Sequence, residues 1–222
     1  MVKVQRRQVP REVDDKVLKA DLESYKEKAL TLGANAAEVI PASYVQVDER
    51  VRLKCLVPRC FYAGTSPHCP PHTPEPEFMR QALSKYSWAV LYKVDIQPLE
   101  EYIPAKRGAP TRNPDKTWSY HDKISEITGT IEGMAFREGY HLAMGFSGGS
   151  CKATFCRGMF CRVLDSGICP NFLRARPSME GVGIDVISLA LKLGWDVYPV
   201  CYVETDPASI PRAVSIGIVL VH

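Results

Sequence analysis

The stretch WAVLYKVDI, residues 88–96, decides the fold. Seven of its nine residues are apolar, and a short apolar run bounded by polar segments reads as a buried strand. Upstream, Leu18, Leu22, Tyr25, Ala29 and Leu32 recur at helical spacing, with Gly33 as a C-cap. A strand follows in AAEVI (36–40), broken by Pro41, and residues 44–47 continue as an alternating strand. A short helix with Phe78, Ala82, Leu83 and Tyr86 leads into 88–96. Downstream, residues 104–117 hold three prolines and no apolar pattern, which predicts an exposed loop or a lid. A long helix from Trp118 carries Ile124, Ile127, Ile131 and Met134, ends near Gly139, and feeds a strand YHLAMGF (140–146). Ser178 reads as the N-cap of a helix with Met179, Val182, Val186, Leu189 and Leu193 inward, ended by Gly194. Strands WDVYPVCYV (195–203) and AVSIGIVLV (213–221) close the pattern. Alternating helices and strands predict a single layered α/β or α+β domain with a mixed sheet flanked by helices.

The chain has 222 residues, 45% of them hydrophobic, enough for one domain with a true core. Its formal charge of +3 is far below that of a dedicated nucleic-acid binder. No apolar run approaches the ~20 residues that span a bilayer. The opening residues MVKVQRRQVPREVDDK carry charge with no apolar stretch behind them, unlike a secretory signal. The expectation is a cytoplasmic protein with neither a membrane nor a nucleic acid as partner.

Eight cysteines remain to be explained, and in a reducing compartment metal or catalysis is the better default than disulfides. Seven fall in two irregular segments. Residues 50–74, read as a loop with five prolines, hold Cys55, Cys60 and Cys69 in a C-x4-C-x8-C pattern. Residues 147–177 hold Cys151, Cys156, Cys161 and Cys169 in C-x4-C-x4-C-x7-C. Both patterns end in Cys-Pro, and neither contains the C-x2-C pair usual in structural zinc sites. Wide, uneven spacings suit the larger [4Fe–4S] cluster better, although neither the bacterial ferredoxin spacing nor the radical-SAM triplet is present. Zinc is the alternative, and a thiol site without metal a further one. The quartet can ligate one cluster alone. The trio needs a fourth ligand from Cys201, His68, His72 or a carboxylate, or leaves one iron open to substrate.

Charge points the same way. Residues 50–72 carry Arg50, Arg52, Lys54 and Arg59 with no acid, and residues 147–176 carry five cations against Asp165, so each segment is +4. Cations near a thiolate-ligated cluster offset its negative charge, and the same charge would serve docking of an acidic carrier. The glycines of FSGGSC are read as letting the backbone approach cluster sulfides. GVGID lies inside a helix pattern and is no dinucleotide fingerprint. Arg59, Arg174, Arg176 and Glu180 are candidates for the substrate or cluster environment.

KCLVPRCFYAGTSPHCPP, followed much later by GGSC, ICP and RPSMEGVGIDV, resembles a family of uncharacterised cysteine-rich "predicted metal-binding proteins" found mainly in anaerobic bacteria and archaea. The resemblance covers roughly residues 51–195, and its most specific parts are the CPP triplet and the RPSMEG–GID segment. It implies metal binding and no assigned activity. By position, Cys55, Cys60 and Cys69 match the first cysteine group, and Cys161 and Cys169 the later part of the second.

The sequence therefore predicts an iron–sulfur protein with two [4Fe–4S] clusters. One, with an open iron, would have a redox or Lewis-acid role as in a redox enzyme or lyase, and the other would relay electrons. A ferredoxin- or flavodoxin-like redox partner and a small-molecule substrate go with that reading. The alternatives are a pure electron-transfer protein with fully ligated clusters and a zinc-stabilised, non-catalytic binding module.

Overall fold

The structure, a computed structural model, describes residues 6–97, 99, 114–200 and 205–222. Helix α1 (Asp15–Thr31) starts where the Asp14 side chain accepts hydrogen bonds from the Lys16 and Val17 amides, and ends before Gly33, whose φ of 103° favours glycine. Strand β1 (Ala36–Pro41), helix α2 (Glu49–Leu56), helix α3 (Pro76–Leu83) and strand β2 (Trp88–Ile96) follow. Helix α4 (Pro114–Arg137) leads to strand β3 (Met144–Phe146), two five-residue helices α5 (Cys151–Phe155) and α6 (Arg162–Ser166), helix α7 (Val186–Lys192) and strand β4 (Ala213–Leu220).

The four strands lie in the order β1-β2-β4-β3, and every pairing between them is antiparallel. The fold is the α+β form of the predicted layered domain, with an antiparallel sheet in place of a mixed one. The reason is topological. α4 does carry the chain from β2 to a strand of the same direction, β3, but β4 inserts between those two and runs against both. The arrangement is a split β-α-β unit.

Helices cover one face of the sheet and a helix-and-loop layer covers the other, so β2 is buried along nearly its whole length despite its antiparallel neighbours. Successive side chains alternate between faces. Val90, Tyr92 and Val94 face α1 and α4, packing with Leu22, Tyr25, Ile124, Ile127 and Ile131. Ala89 and Leu91 face the other way, toward Met79, Leu83, Met179, Val182, Ile184 and Leu189. At Gly217 a Cβ would lie 2.6 Å from the Tyr92 ring and 3.1 Å from Ile124, so glycine lets α4 close onto the sheet.

Several predicted elements differ. Residues 49–56 form a helix rather than a loop, because Asp48 caps them and the prolines of that segment lie after it. In place of an alternating strand at 44–47 there is a 3-10 turn at Ala42–Tyr44 and one bridge, Val47 to Ile184. The strand predicted at 140–146 is confined to Met144–Phe146, since the Tyr140 amide folds back onto the Ala135 carbonyl to close α4. The helix predicted from Ser178 is broken. Its first part is a 3-10 turn, Glu180–Val182, that ends at Gly183 (φ 88°), and Asp185 caps the helix that follows. Residues 195–200 form no strand, and 201–204 lie outside the described residues. Within the predicted 104–117 loop, residues 114–117 belong to α4 and the remainder lie outside the described residues.

Candidate metal centre

The two cysteine segments lie against each other, and the second also lies against α4. Cys55 sits in the last turn of α2, and the Cys60 amide donates to its carbonyl at 2.9 Å. The chain then turns through Ala63, whose amide donates to the Cys60 carbonyl, and the Gly64 amide donates to the Pro70 carbonyl at 2.7 Å. This tie folds the segment back and leaves Cys69 buried, Cys55 half-buried and Cys60 exposed. The second segment leaves β3 at Ser147, which is pinned by a 2.9 Å hydroxyl contact with Ser125 and by exchange of backbone hydrogen bonds with Pro177 and Met179. Ser150 caps α5, so Cys151 is its first residue and Cys156 its C-cap. Cys161 stands at the N-cap position of α6 with no side-chain capping hydrogen bond, and Cys169 lies two residues past the left-handed Gly167. The Cys69 Sγ lies 3.3 Å from the Ser150 Oγ, joining the two segments.

The glycines before Cys151 serve packing. A Cβ on Gly148 would stand 2.6 Å from the Ser215 Oγ, and one on Gly149 would stand 2.9 Å from the His121 ring. They let the backbone pass α4 and β4, a role sequence reading had given to cluster sulfides.

Cys151, Cys156, Cys161 and Cys169 all line one cavity, with Ser66 and His68 from the first segment on its wall. Its volume is about 20 Å³, room for one water-sized atom. All seven described cysteines are free thiols. Burial pushes the Cys151 thiol up to about 12. Burial, then the charges of Cys60, Glu180 and Cys69, pushes Cys55 up to about 11. A bound cation is what would hold such groups as thiolates.

Two polar atoms on the cavity residues fit a missing guest. The Ser66 Oγ and the His68 Nδ1 are buried without a hydrogen-bond partner, a costly state unless something bound there supplies one. Among the described residues no three His, Cys, Asp or Glu side chains converge on a point where a single ion could sit. The cysteine donors are spread around the wall of the cavity. α6, which forms part of the wall, buries none of its residues, so it can yield as the cavity fills.

His68 thus stands with the second set of cysteines, while His72 is exposed. Cys201 lies outside the described residues. Arg176 is engaged by Glu132 of α4 through two hydrogen bonds at 2.7 and 2.6 Å, and also donates to the Phe172 and Ala175 carbonyls. Arg59 donates to the Ala63 carbonyl at 3.1 Å, and Arg174 stacks over Phe155 at 5.0 Å. Of the nine cations counted in the two segments, Arg50, Arg52, Arg157 and Arg176 pair with Asp48, Glu75, Asp122 and Glu132, none of which lies in those segments. Subtracting these four from the summed +8 leaves +4, so half of the apparent counter-charge is spent on the scaffold. Glu180 is exposed; partial desolvation raises its carboxyl above the ordinary range, opposed by a hydrogen bond from the Ser178 hydroxyl.

Beside the cysteines lies a hollow of about 1020 Å³ bounded by Phe61, Tyr62, Lys152, Phe160, Cys161 and Leu164 among others. Phe61 and Phe160 are 87% and 94% exposed, far beyond what scattered surface apolars need, and such patches mark interaction sites. Sequence reading missed this hollow because its aromatics come from both segments. No helix among the described residues is long and apolar enough to cross a membrane.

No curated protein and no solved structure matches the chain significantly. The family model described as "Predicted metal-binding protein (DUF2284)" does match, from residue 38 in β1 to residue 220 in β4 and so across both cysteine segments, and the chain belongs to that family.

Proposed function

We propose that this chain is a cytoplasmic iron–sulfur protein with two [4Fe–4S] clusters. Cys151, Cys156, Cys161 and Cys169 would hold one, and Cys55, Cys60 and Cys69 the other. When bound, such clusters supply one-electron transfer, and an iron not held by cysteine adds a Lewis-acidic position. The observation that carries the reading is the cavity lined by four cysteines, with the unpartnered Ser66 Oγ and His68 Nδ1 among its wall residues. Those two groups would bond to cluster sulfides and steady the charge held there. Ser150, in contact with Cys69 and capping the helix of Cys151, keeps the two thiol sets adjacent.

The hollow beside Cys161 is the docking place for the redox partner or small-molecule substrate. Phe61 and Phe160 would exclude water there, and Lys152, which has no ion pair among the described residues, would attract an anionic group.

Anaerobic purification tests the reading. It expects about eight iron and eight sulfide per chain, and a brown colour absorbing near ~400 nm, since thiolate-to-iron charge transfer is coloured and d¹⁰ zinc is not. Zinc without sulfide would sink it. Replacing Cys151 or Cys169 by Ala should remove about half the iron.

A further inference from the structure

We propose that a second hollow, on the Cys169 side of the cysteine cavity, binds an uncharged, mainly apolar small molecule that carries one hydroxyl or carbonyl group. The site goes beyond the cluster reading and does not depend on it.

This hollow has a volume of about 910 Å³, within the range of pockets that enclose small-molecule ligands. It shares no lining residue with the hollow beside Cys161. With the cysteine cavity it shares His68, Val163 and Cys169 among others, so the two spaces are neighbours across those side chains. Its floor is the sheet: Met144 and Phe146 of the edge strand β3, and Leu220 of β4, which pairs with Met144. Phe78 and Ala82 of α3 and Phe172 of the second cysteine segment add apolar wall. Phe78 and Phe172 are 62% and 67% exposed, a cost in water that an apolar ligand in the hollow would lower.

The polar groups of the wall decide the charge of the ligand. Arg176 and Glu132 both line the hollow, but they neutralise each other through hydrogen bonds of 2.7 and 2.6 Å. The Arg176 Nη1 donates to the Phe172 and Ala175 carbonyls, and the Glu132 Oε2 also accepts the Gly145 amide. The Tyr86 hydroxyl donates to the Leu142 carbonyl, and the Thr73 hydroxyl to that of Gly181. The ion pair therefore leaves no net charge to hold an ion, and these hydroxyls have already spent their protons. His141 also lines the hollow but is exposed, so water serves it. His68 differs. Its Nδ1 is buried without a partner, and no hydrogen bond among the described residues engages its Nε2. An imidazole has two hydrogen-bonding nitrogens, so one can serve the cysteine cavity while the other meets a ligand hydroxyl or carbonyl. A ligand held in this way would place its polar end beside Cys169.

The test uses the full chain and 2-naphthol, a phenol uncharged at pH 7, followed by its fluorescence. Naphthalene, which lacks the hydroxyl, and anionic 2-naphthoate are compared with it. A single 2-naphthol per chain should bind, roughly fivefold tighter than naphthalene, and 2-naphthoate should bind more weakly than either. Ala82→Trp, which fills the hollow from α3, should weaken 2-naphthol by about tenfold or more with unchanged circular dichroism. Phe78→Ser, at an exposed position, should weaken it several-fold and serves if the tryptophan variant fails to fold. His68→Phe should bring 2-naphthol down to the affinity of naphthalene, and an undiminished preference would remove His68 as the bonding group. Absence of saturable 2-naphthol binding overturns the proposal. So does binding that survives the α3 variants but is lost in Phe160→Ser, which would put the probe in the other hollow. Equal binding of 2-naphthoate overturns the uncharged class. Protein that lacks iron and sulfide overturns the cluster reading alone, since 2-naphthol should bind with or without metal.

Discussion

Arg176 shows how a residue beside the cysteines can act through the scaffold. Its bidentate grip on Glu132 is only 17% and 15% exposed at the two side chains, and Glu132 also accepts the Gly145 amide of β3 at 2.8 Å. The pair clamps the exit of the second cysteine segment to α4 and to the sheet edge. Arg176→Ala leaves Glu132 half-stranded and should lower stability by roughly 2–3 kcal/mol in urea denaturation, less than for a fully buried pair. Arg176→Lys should recover part of that, because lysine cannot reproduce the fork. Sequence reading singled out Arg176 but could not see Glu132, which lies 44 positions away on another element. His121 was not singled out at all. Burial against Gly149 and Ser215 lowers its pKa to about 4, from about 6.5 when unfolded. The unfolded chain therefore binds a proton that the folded one refuses between those values. Stability should be full above pH 6.5 and fall as pH drops toward 4, by at most about 3 kcal/mol, since the ring keeps some solvent contact. His121→Gln should flatten that slope, and an equally steep slope in the variant would remove His121 as its cause.

Among the elements, legibility followed how local the signal was. α1, β2 and β4 were readable because an apolar period ran uninterrupted and a core lay on the matching face. α2 was missed because prolines at 58, 67, 70, 71 and 74 coloured the whole segment, while the capping Asp48 and the run ERVRLKCL before them were there to be read. The 178–193 helix was over-read for the opposite reason: its apolar spacing fits a continuous helix, but Gly183 takes a positive φ that no spacing reveals. That break lets the Glu180–Val182 turn pack against α2. At Gly183 an added Cβ would sit 3.2 Å from Val47, so Gly183→Ala should cost about 1–2 kcal/mol in thermal or chemical unfolding. A variant as stable as wild type would mean the turn can rearrange.

For the whole molecule, both cysteine groups were legible from spacing alone, whereas their adjacency required the fold. The two apolar clusters that flank the sheet contain none of the cysteines. Metal-free protein should therefore keep its helix and strand content by circular dichroism and unfold cooperatively. Its weak point should be the stretch 156–173, where Phe160, Ile168, Phe172 and Leu173 are exposed and α6 buries nothing. Limited proteolysis should cut there in metal-free protein and be slowed by metal loading. Loss of all ordered structure on metal removal would contradict this division between core and loops.

The place of β4 in the sheet also bears on when the metal can arrive. β4 separates β2 from β3, and its Ser215 packs against the Gly148 backbone at the root of the second cysteine segment. During synthesis every residue of both cysteine segments leaves the ribosome before β4 does. Until that last strand threads between its neighbours, a pairing of large sequence separation and hence slow to form, seven thiols are carried by a nascent chain that cannot hold them in register. Metal uptake should therefore wait for β4, and ribosome-bound chains halted before residue 213 should take up none in the native arrangement.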